Sequence, residues 1–563
     1  MQYKPWWVIL TIILSLLLSA CSSVQYFIAE SSPSDLPNTQ EELGSNGFQP
    51  TTDFLPTAEV ALENEQISTL WISSDIPTNF VEQLELPKNL EVTTEEKTAD
   101  YILKLDEENI VSEWVYALGA AFPTVLDDIA TDDLLSLWKG EVASETVNKI
   151  SSLLIDSNTL TVFASLWGLP GSSVKIIPTE QILNAAWAER TALALFPFTD
   201  LEPEWKVISV DRNSPLSKNF NLETYPLKVP ISLFTTVPDK GGSSFDFSTW
   251  IPITNRDPNK LTTVALTGVT GMVRATAGYM EAFGVTYPAE DIGPLLRDAD
   301  ILHINNEIPF AIDCPFPDPS PEASLIFCSR DKYIELLEYI GTDVIELTGD
   351  HFQDWGDEAV LHTLDLYNQR DWLIYGGGEN LEKARQPLLL EHNGNRLAFL
   401  GCNGKEAGYA LASETRPGAY HCDMDWMESE VRRLVSENYL VIVTFQHLEY
   451  YDSVISPLLQ EDFQRVAEAG ALIVSGSQAH QPHGFEFYEN ALIHYGLGNL
   501  FFDQYNWCIP CRSAFIDQHI FYDGRYLGVE LITIQFENNA RSRLTTQEER
   551  EALLELIFSS SAW

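Results

Sequence analysis

The sequence predicts an α/β protein whose larger part is built on buried, mostly parallel strands. Three observations predict it. Short apolar runs alternate with helical patterns along most of the chain. In the second half those runs are near-continuous in apolar residues, as strands covered on both faces require. Polar residues then collect directly after the runs, where the ligands of parallel α/β sheets sit.

The elements follow in order. With 563 residues, 45% of them apolar, the chain is too long for one core and rich enough for two or three. Residues 1–21, "MQYKPWWVILTIILSLLLSAC", place one Lys before an apolar run and end on small residues and Cys21, the layout of a secretory signal peptide. "LSAC" resembles the lipobox of bacterial lipoproteins, which implies cleavage before Cys21 and a lipid on its sulfur. The other reading, an uncleaved span, has a run short for a bilayer. Residues 22–65 are rich in Ser, Pro, Thr, Asn and Glu and read as a flexible tether.

A first alternating series fills 66–237, from "ISTLWISSDIP" to "YPLKVPISLFTTV". Residues 238–260 carry Gly, Ser, Asp and Pro throughout and read as a linker. A second series fills 261–540, with strands "ADILHIN", "DVIELTG", "WLIYGGG", "RLAFLGC", "LVIVTFQH", "ALIVSG" and "ALIHYGLGN", and with helical patterns such as "RDKYIELLEYIG" between them. Residues 541–563 read as a C-terminal helix.

Charge and cysteine content set the surroundings. Lys and Arg number 33 against 82 Asp and Glu, a net charge of −49. Such a surface repels nucleic acid and anionic lipid, and tolerates divalent cations. Besides Cys21 there are six cysteines. Their proximity in sequence proposes Cys314–Cys328, Cys402–Cys422 and Cys508–Cys511, although six cysteines allow fifteen pairings. "WCIPC" has a second reading as a redox pair, but no thioredoxin-like strand–helix start surrounds it.

The polar clusters after strands are Asn305 and Glu307, Asp350 and His351, His447 and Glu449, and Gln478 and His480. "IELTGDHFQDWGDEA" adds Asp354, giving imidazole and carboxylate donors within five residues. Such donors suit a divalent ion. An acidic loop has the same composition, and Asp350 is equally suited to capping a helix.

The second series resembles the CapA family of poly-γ-glutamate synthesis and anchoring proteins over roughly 261–535. "ADILHINNEIPF" resembles its Asn-and-Glu segment through Asn305 and Glu307. "LTGDHFQDWGDEAVLHTLDLY" resembles its "NNHxxDxG" segment, with Asp350 where Asn is usual and His351, Asp354, Gly356 and Thr363 retained. "YGGGENLEKARQP" and "VSGSQAHQPHGFEFYENALIHYGLGNLFFDQ" resemble two further segments, through Gly376, Gly378, Asn380, Arg385 and Pro387, and through Gly476, His480, Glu486, Asn499 and Asp503. The resemblance implies a calcineurin-like metallophosphoesterase-type α/β sandwich. It departs at Val269, where the family has a ligating Asp, at Gln478 in place of a His, and at "FQHLEYY", where His447 or Gln446 is the substitute. Val cannot bridge two ions, so the implied site is mononuclear: one Mn, Zn or Fe ion on Glu307, His351, Asp354, His447 and His480, or no ion at all. His351, Asp354 and His480 are the expected catalytic residues. Asn305, Arg274 and Arg385, with Arg330, are the expected contacts to an anionic polymer, which a −49 body otherwise repels.

In the first series, "EWVYALGAAFPTVLDDIATDDLLSLWKGE" and "LALFPFTDLEPEWKVISVD" resemble segments of type 2 periplasmic-binding lobes. The alternative is an unrelated accessory α/β domain. The combined expectation is a lipid-anchored extracytoplasmic protein. It acts in capsule or poly-γ-glutamate-like polymer synthesis or attachment, by metal-assisted hydrolysis or transfer. The alternative is a catalytically inactive surface lipoprotein that binds a small ligand and keeps a degenerate metal site. The expected partners are the membrane, through the lipid, and an anionic polymer or small molecule, not nucleic acid.

Overall fold

A computed structural model describes residues 67–141, 144–236, 246–320, 324–405, 410–477, 479–506 and 508–563. The expected leader with Cys21, the tether, the start of the linker and Gln478 lie outside the described residues.

One long strand, Ile110–Ala121, organises the first lobe. Its first half pairs antiparallel with Lys228–Thr235 and its second half with Leu193–Pro197. Through Lys228–Thr235 the sheet continues to Tyr101–Leu105, Ser68–Ile72 and Leu90–Val92. Through Leu193–Pro197 it continues to Leu153–Ile155 and Val174–Ile176. The strand therefore belongs to two half-sheets, and from Trp114 onward every residue of it is buried.

The second lobe is a sandwich of two sheets with helices outside both. An eight-stranded sheet runs Leu373–Tyr375, Val344–Glu346, Ile301–Asn306, Leu261–Thr270, Ser513–Tyr522, Arg525–Phe536 and Ser542–Leu544, with Asn499–Phe501 also paired to Leu261–Thr270. A six-stranded sheet runs Leu388–His392, Asn395–Asn403, Leu440–Gln446, Ile473–Ser475, Ala491–His494 and Phe485–Tyr488.

The two-residue period of a strand decides what each face holds. Leu397 and Phe399 point into the space between the sheets, packing with Val264, Ile301, Val344 and Ile442. Ala398, Leu400 and Cys402 point outward, against Met427, Val431, Leu434, Phe463 and Val466 of the helices Met424–Ser436 and Pro457–Glu468. Those helices form because their apolar residues recur at three- and four-residue spacing and because Asp423 and Ser456 accept from their first free N–H groups. The other sheet is covered likewise by Ala277, Met280, Leu336, Leu337, Val360 and Tyr367. The CapA-like expectation of an α/β sandwich is met.

Along the same inner face the residues turn polar toward the strands' C-terminal ends. His303, Asn305, Glu346, Thr444 and Gln446 are all buried. They are linked: Asn305 Nδ2 donates to Ser477 Oγ, and Ser477 and Thr348 each donate to Glu346. An apolar core therefore becomes a polar floor at one end of the sandwich.

Two boundaries differ from the sequence reading. Ser542–Leu544 is a sheet strand, so the last helix starts only at Gln547, behind a capping box of Thr546 and Glu549. The end of the expected linker is packed rather than free. Trp250, Asn255 and Arg256 are buried, the Asn255 side chain pairs with both backbone groups of Val115, and Arg256 donates to the carbonyls of Pro215 and Ser217. Phe122 of the first lobe packs edge-on against Phe485, Phe487 and Phe558 of the second.

The three disulfides are Cys314–Cys328, Cys402–Cys422 and Cys508–Cys511, the pairing that proximity proposed. Among the described residues, no helix is long and apolar enough to cross a membrane.

Candidate metal centre

The polar floor opens onto three donors. Glu307 follows Ile301–Asn306, and Asp350 and His351 follow Val344–Glu346. One ligand atom from each of the three lies within 4.8 Å of the others. Gly349 makes the approach possible: a Cβ there would stand 2.8 Å from the Glu307 Cα.

Glu307 is only 1% exposed, and neither of its carboxylate oxygens has a hydrogen-bond partner among the described residues. A buried carboxylate with two orphaned oxygens is costly unless something cationic meets it. Burial, and then the neighbouring Asp350, hold the Glu307 carboxyl well above the usual carboxylate range.

His351 is aimed by Asp354. Its Nδ1 lies 2.6 Å from Asp354 Oδ2, and that oxygen also accepts the Phe327 N–H at 2.8 Å. The carboxylate fixes the ring and leaves Nε2 for a ligand. Burial alone would lower the imidazole pKa, but the Asp354 hydrogen bond with Glu307 and Asp350 pushes it up to about 9. Asp354 therefore acts through His351 and is not one of the three clustered donors.

Asp350 caps no helix. Its Oδ1 accepts from Gln446 Nε2 at 3.1 Å, and its Oδ2 accepts from Lys405 Nζ at 2.6 Å. The same ammonium donates to Glu449 Oε1 at 2.5 Å. Burial would raise the Asp350 carboxyl, but Lys405, Glu307 and His351 bring it below its ordinary value.

Besides Asp354, two more expected ligands stand apart from the three donors. His447 lies one residue beyond Gln446 and faces the other way. Its Nε2 is 2.9 Å from Asp462 Oδ2 and its Nδ1 accepts the Leu448 N–H, so both ring nitrogens are used on the helix side. Gln446, on the inner face, is the residue that reaches Asp350. His480 sits on the Glu449 side, with Nε2 3.9 Å from Glu449 Oε2. Asn499 donates from Nδ2 to the His480 carbonyl, which turns its Oδ1 toward His480 Nδ1 at 2.8 Å. The ring therefore carries its proton on Nδ1 and a lone pair on Nε2. Burial pushes its pKa below the ordinary value, against the pull of Glu449.

The expected polymer contacts are dispersed. Arg274 spends Nε and Nη2 on Asp503 Oδ1, between the rings of Phe327 and Phe502. Arg330 pairs with Glu281, and Arg385 lies over Trp426. Asn305 is at the floor, with Oδ1 buried and unpartnered among the described residues. Val269 pairs in register with both Asn305 and Asn499. It packs with Val273, Ile308, Phe327 and Phe502, so hydrocarbon fills that side of the site.

The donor chemistry fits a divalent cation: two carboxylates and an imidazole, one carboxylate wholly unpaired, and an outer carboxylate orienting the imidazole. The sequence reading passed over Lys405, placed Glu449 in a strand-end cluster without a role, and left Asp350 open between cap and ligand.

A sequence model of the family described as "Bacterial capsule synthesis protein PGA_cap" matches residues 263–504. The chain is similar to "Capsule biosynthesis protein CapA" of Bacillus anthracis, 23% identical over 310 residues that cover 53% of this chain and 75% of that one. It is also similar to "PGA biosynthesis protein CapA" of Bacillus subtilis (strain 168), 23% identical over 234 residues, 41% of this chain and 61% of that one. Among solved structures, a 5'-nucleotidase precursor from Thermus thermophilus aligns at 13% identity and a TM-score of 0.30, over 53% of this chain and 58% of that one. The span of the match takes in Glu307, Asp350, His351 and His480, so the sandwich domain that holds them is the part of the chain similar to the capsule synthesis proteins.

Proposed function

We propose that this chain is a cell-surface CapA-type protein that acts in capsule or poly-γ-glutamate-like polymer synthesis or attachment, by hydrolysis or transfer at one divalent cation. One observation carries the metal part: the buried Glu307 carboxylate, unpartnered among the described residues beside Asp350 and His351. Glu307, Asp350 and His351 hold the ion, and Asp354 holds His351. When bound, the ion supplies Lewis acidity toward an ester or amide oxygen, or toward water. His480 Nε2 carries the free lone pair that takes the proton of the attacking group, and Asn499 keeps it available. Mn, Zn and Fe all suit the donor set.

Membrane attachment through a lipid on Cys21 belongs to the same reading, as does a ligand-binding role for the first lobe. The three disulfides and the capsule-related relatives support an extracytoplasmic setting. Val269 and the Lys405 ion pairs favour a second reading, a surface-binding protein without turnover, because both reduce the capacity for metal.

The test is metal content of the purified chain under saturating Mn²⁺ or Zn²⁺, in wild type, Glu307→Gln and His351→Ala. One ion per chain, lost in both variants, supports the metal centre. No bound ion at saturation overturns it. Release of low-mass products from a poly-γ-glutamate substrate by the loaded wild type, absent in Glu307→Gln, separates turnover from binding alone.

A further inference from the structure

We infer that Lys405 is a resident cation that divides the acidic cleft and limits it to one divalent ion. The inference rests on the metal reading above. The cleft holds three buried or half-buried carboxylates, Glu307, Asp350 and Glu449, and two imidazoles, His351 and His480. That is enough donors for two ions. Lys405 Nζ stands between Asp350 Oδ2 and Glu449 Oε1, at 2.6 and 2.5 Å, so these two carboxylates already share one cation. Glu307 has no such partner among the described residues, so the cleft is neutralised on one side and open on the other.

The placement of Lys405 is built in. Its N–H donates to Asn403 Oδ1 at 2.9 Å, and Asn403 Nδ2 donates to the Thr348 carbonyl at 2.9 Å, two residues before Asp350. The loop bearing the ammonium is thereby tied to the loop bearing its carboxylate. The opposite carboxylate is held as well: Tyr451 donates to Glu449 Oε2 at 3.0 Å. The ammonium thus meets two carboxylates directly, one on each side. A fixed +1 beside the Glu307 side repels a second ion and weakens the first.

The experiment is Mn²⁺ stoichiometry and affinity by equilibrium dialysis and calorimetry on the full chain, for wild type, Lys405→Met and Lys405→Arg. Thermal melts report folding. One ion in wild type, two in Lys405→Met and one in Lys405→Arg support the inference. So does a first-site affinity at least roughly tenfold tighter in Lys405→Met. Two ions in wild type overturn it and leave the metal centre standing. One ion of unchanged affinity in wild type and folded Lys405→Met also overturns it. No ion in any of the three overturns the metal centre and this inference together. No ion in wild type but one in Lys405→Met keeps the exclusion by Lys405 and overturns the occupied-site reading. A Lys405→Met chain that does not fold shifts the test to Lys405→Gln, judged by the same stoichiometries.

Discussion

His351 and Asp354 form a hydrogen-bonded pair at 2.6 Å, and the Asp354 oxygen in that pair also accepts the Phe327 N–H. The imidazole is thus held from behind by a carboxylate that is itself fixed by backbone. Its other nitrogen is presented beside Glu307 and Asp350 without the entropy cost of orienting it.

Asp354→Ala should therefore weaken Mn²⁺ binding by about 10- to 100-fold while leaving a folded chain. Calorimetric titration checks the affinity, and circular dichroism checks the fold. Unchanged affinity in a folded variant would show that His351 needs no support or binds no ion.

His447→Ala should leave metal stoichiometry untouched. Both of its nitrogens are spent on Asp462 and the Leu448 N–H, so its loss costs stability, on the order of 1 kcal/mol for the hydrogen bond to the Pro457–Glu468 helix. Gln446→Leu should do the reverse. It removes the donor to Asp350 Oδ1 and alters ion affinity. Denaturant melts and metal titrations on the two variants separate the roles.

That pair also shows where sequence reading stops. In the structure the period of two sets Asn305 and Glu346 on the inner face, and a shift of one residue decides between Gln446 and His447. The register there is set by pairing Asn403 with Gln446, a contact between distant segments. Asp350 was ambiguous because a cap and a ligand use the same side chain; only its partners, Gln446 and Lys405, decide. Lys405 left no signal at all. It lies in the loop after "GCNG", where a lysine reads as a solvated charge, and reaches the site only because Asn403 ties that loop to Thr348. The disulfides were legible because each closes a short loop between sequence neighbours.

The contact between the lobes has its own pH dependence. Arg550 grips both oxygens of Asp127 at 2.7 and 2.8 Å, and Lys206 lies 2.7 Å from the same carboxylate. Burial opposes the Asp127 charge, but Arg550 and Lys206 outweigh it and bring its pKa down to about 2. A depressed carboxylate contributes stability that is complete above its unfolded pKa near 4 and is lost as pH falls through 2. The melting midpoint of wild type should exceed that of Asp127→Asn at pH 5, and the gap should close between about pH 4 and 2. A gap that stays constant over that range would mean the carboxylate charge contributes nothing.

Val269→Asp tests why the site is asymmetric. Val269 lies between Asn305 and Asn499 in the sheet and packs with Val273, Ile308, Phe327 and Phe502. Phe327 in turn touches His351, and Phe502 stacks on His480 at 4.9 Å between centroids. A carboxylate placed there enters hydrocarbon with no donor to meet it. In chelator the variant should lose about 3 kcal/mol or more of stability, the cost of an uncompensated buried charge. With Mn²⁺ two outcomes diverge. If the apolar cluster alone closes that side, the ion restores the lost stability, because the new carboxylate gains a cation. If Lys405 also holds the second position, restoration needs Lys405→Met in addition. The double variant should then recover more than the sum of the two single responses to Mn²⁺, a coupling that melts of all four chains with and without the ion measure directly. Strict additivity would mean that Val269 and Lys405 act on unrelated sites, and that the cleft has no second position for either to close.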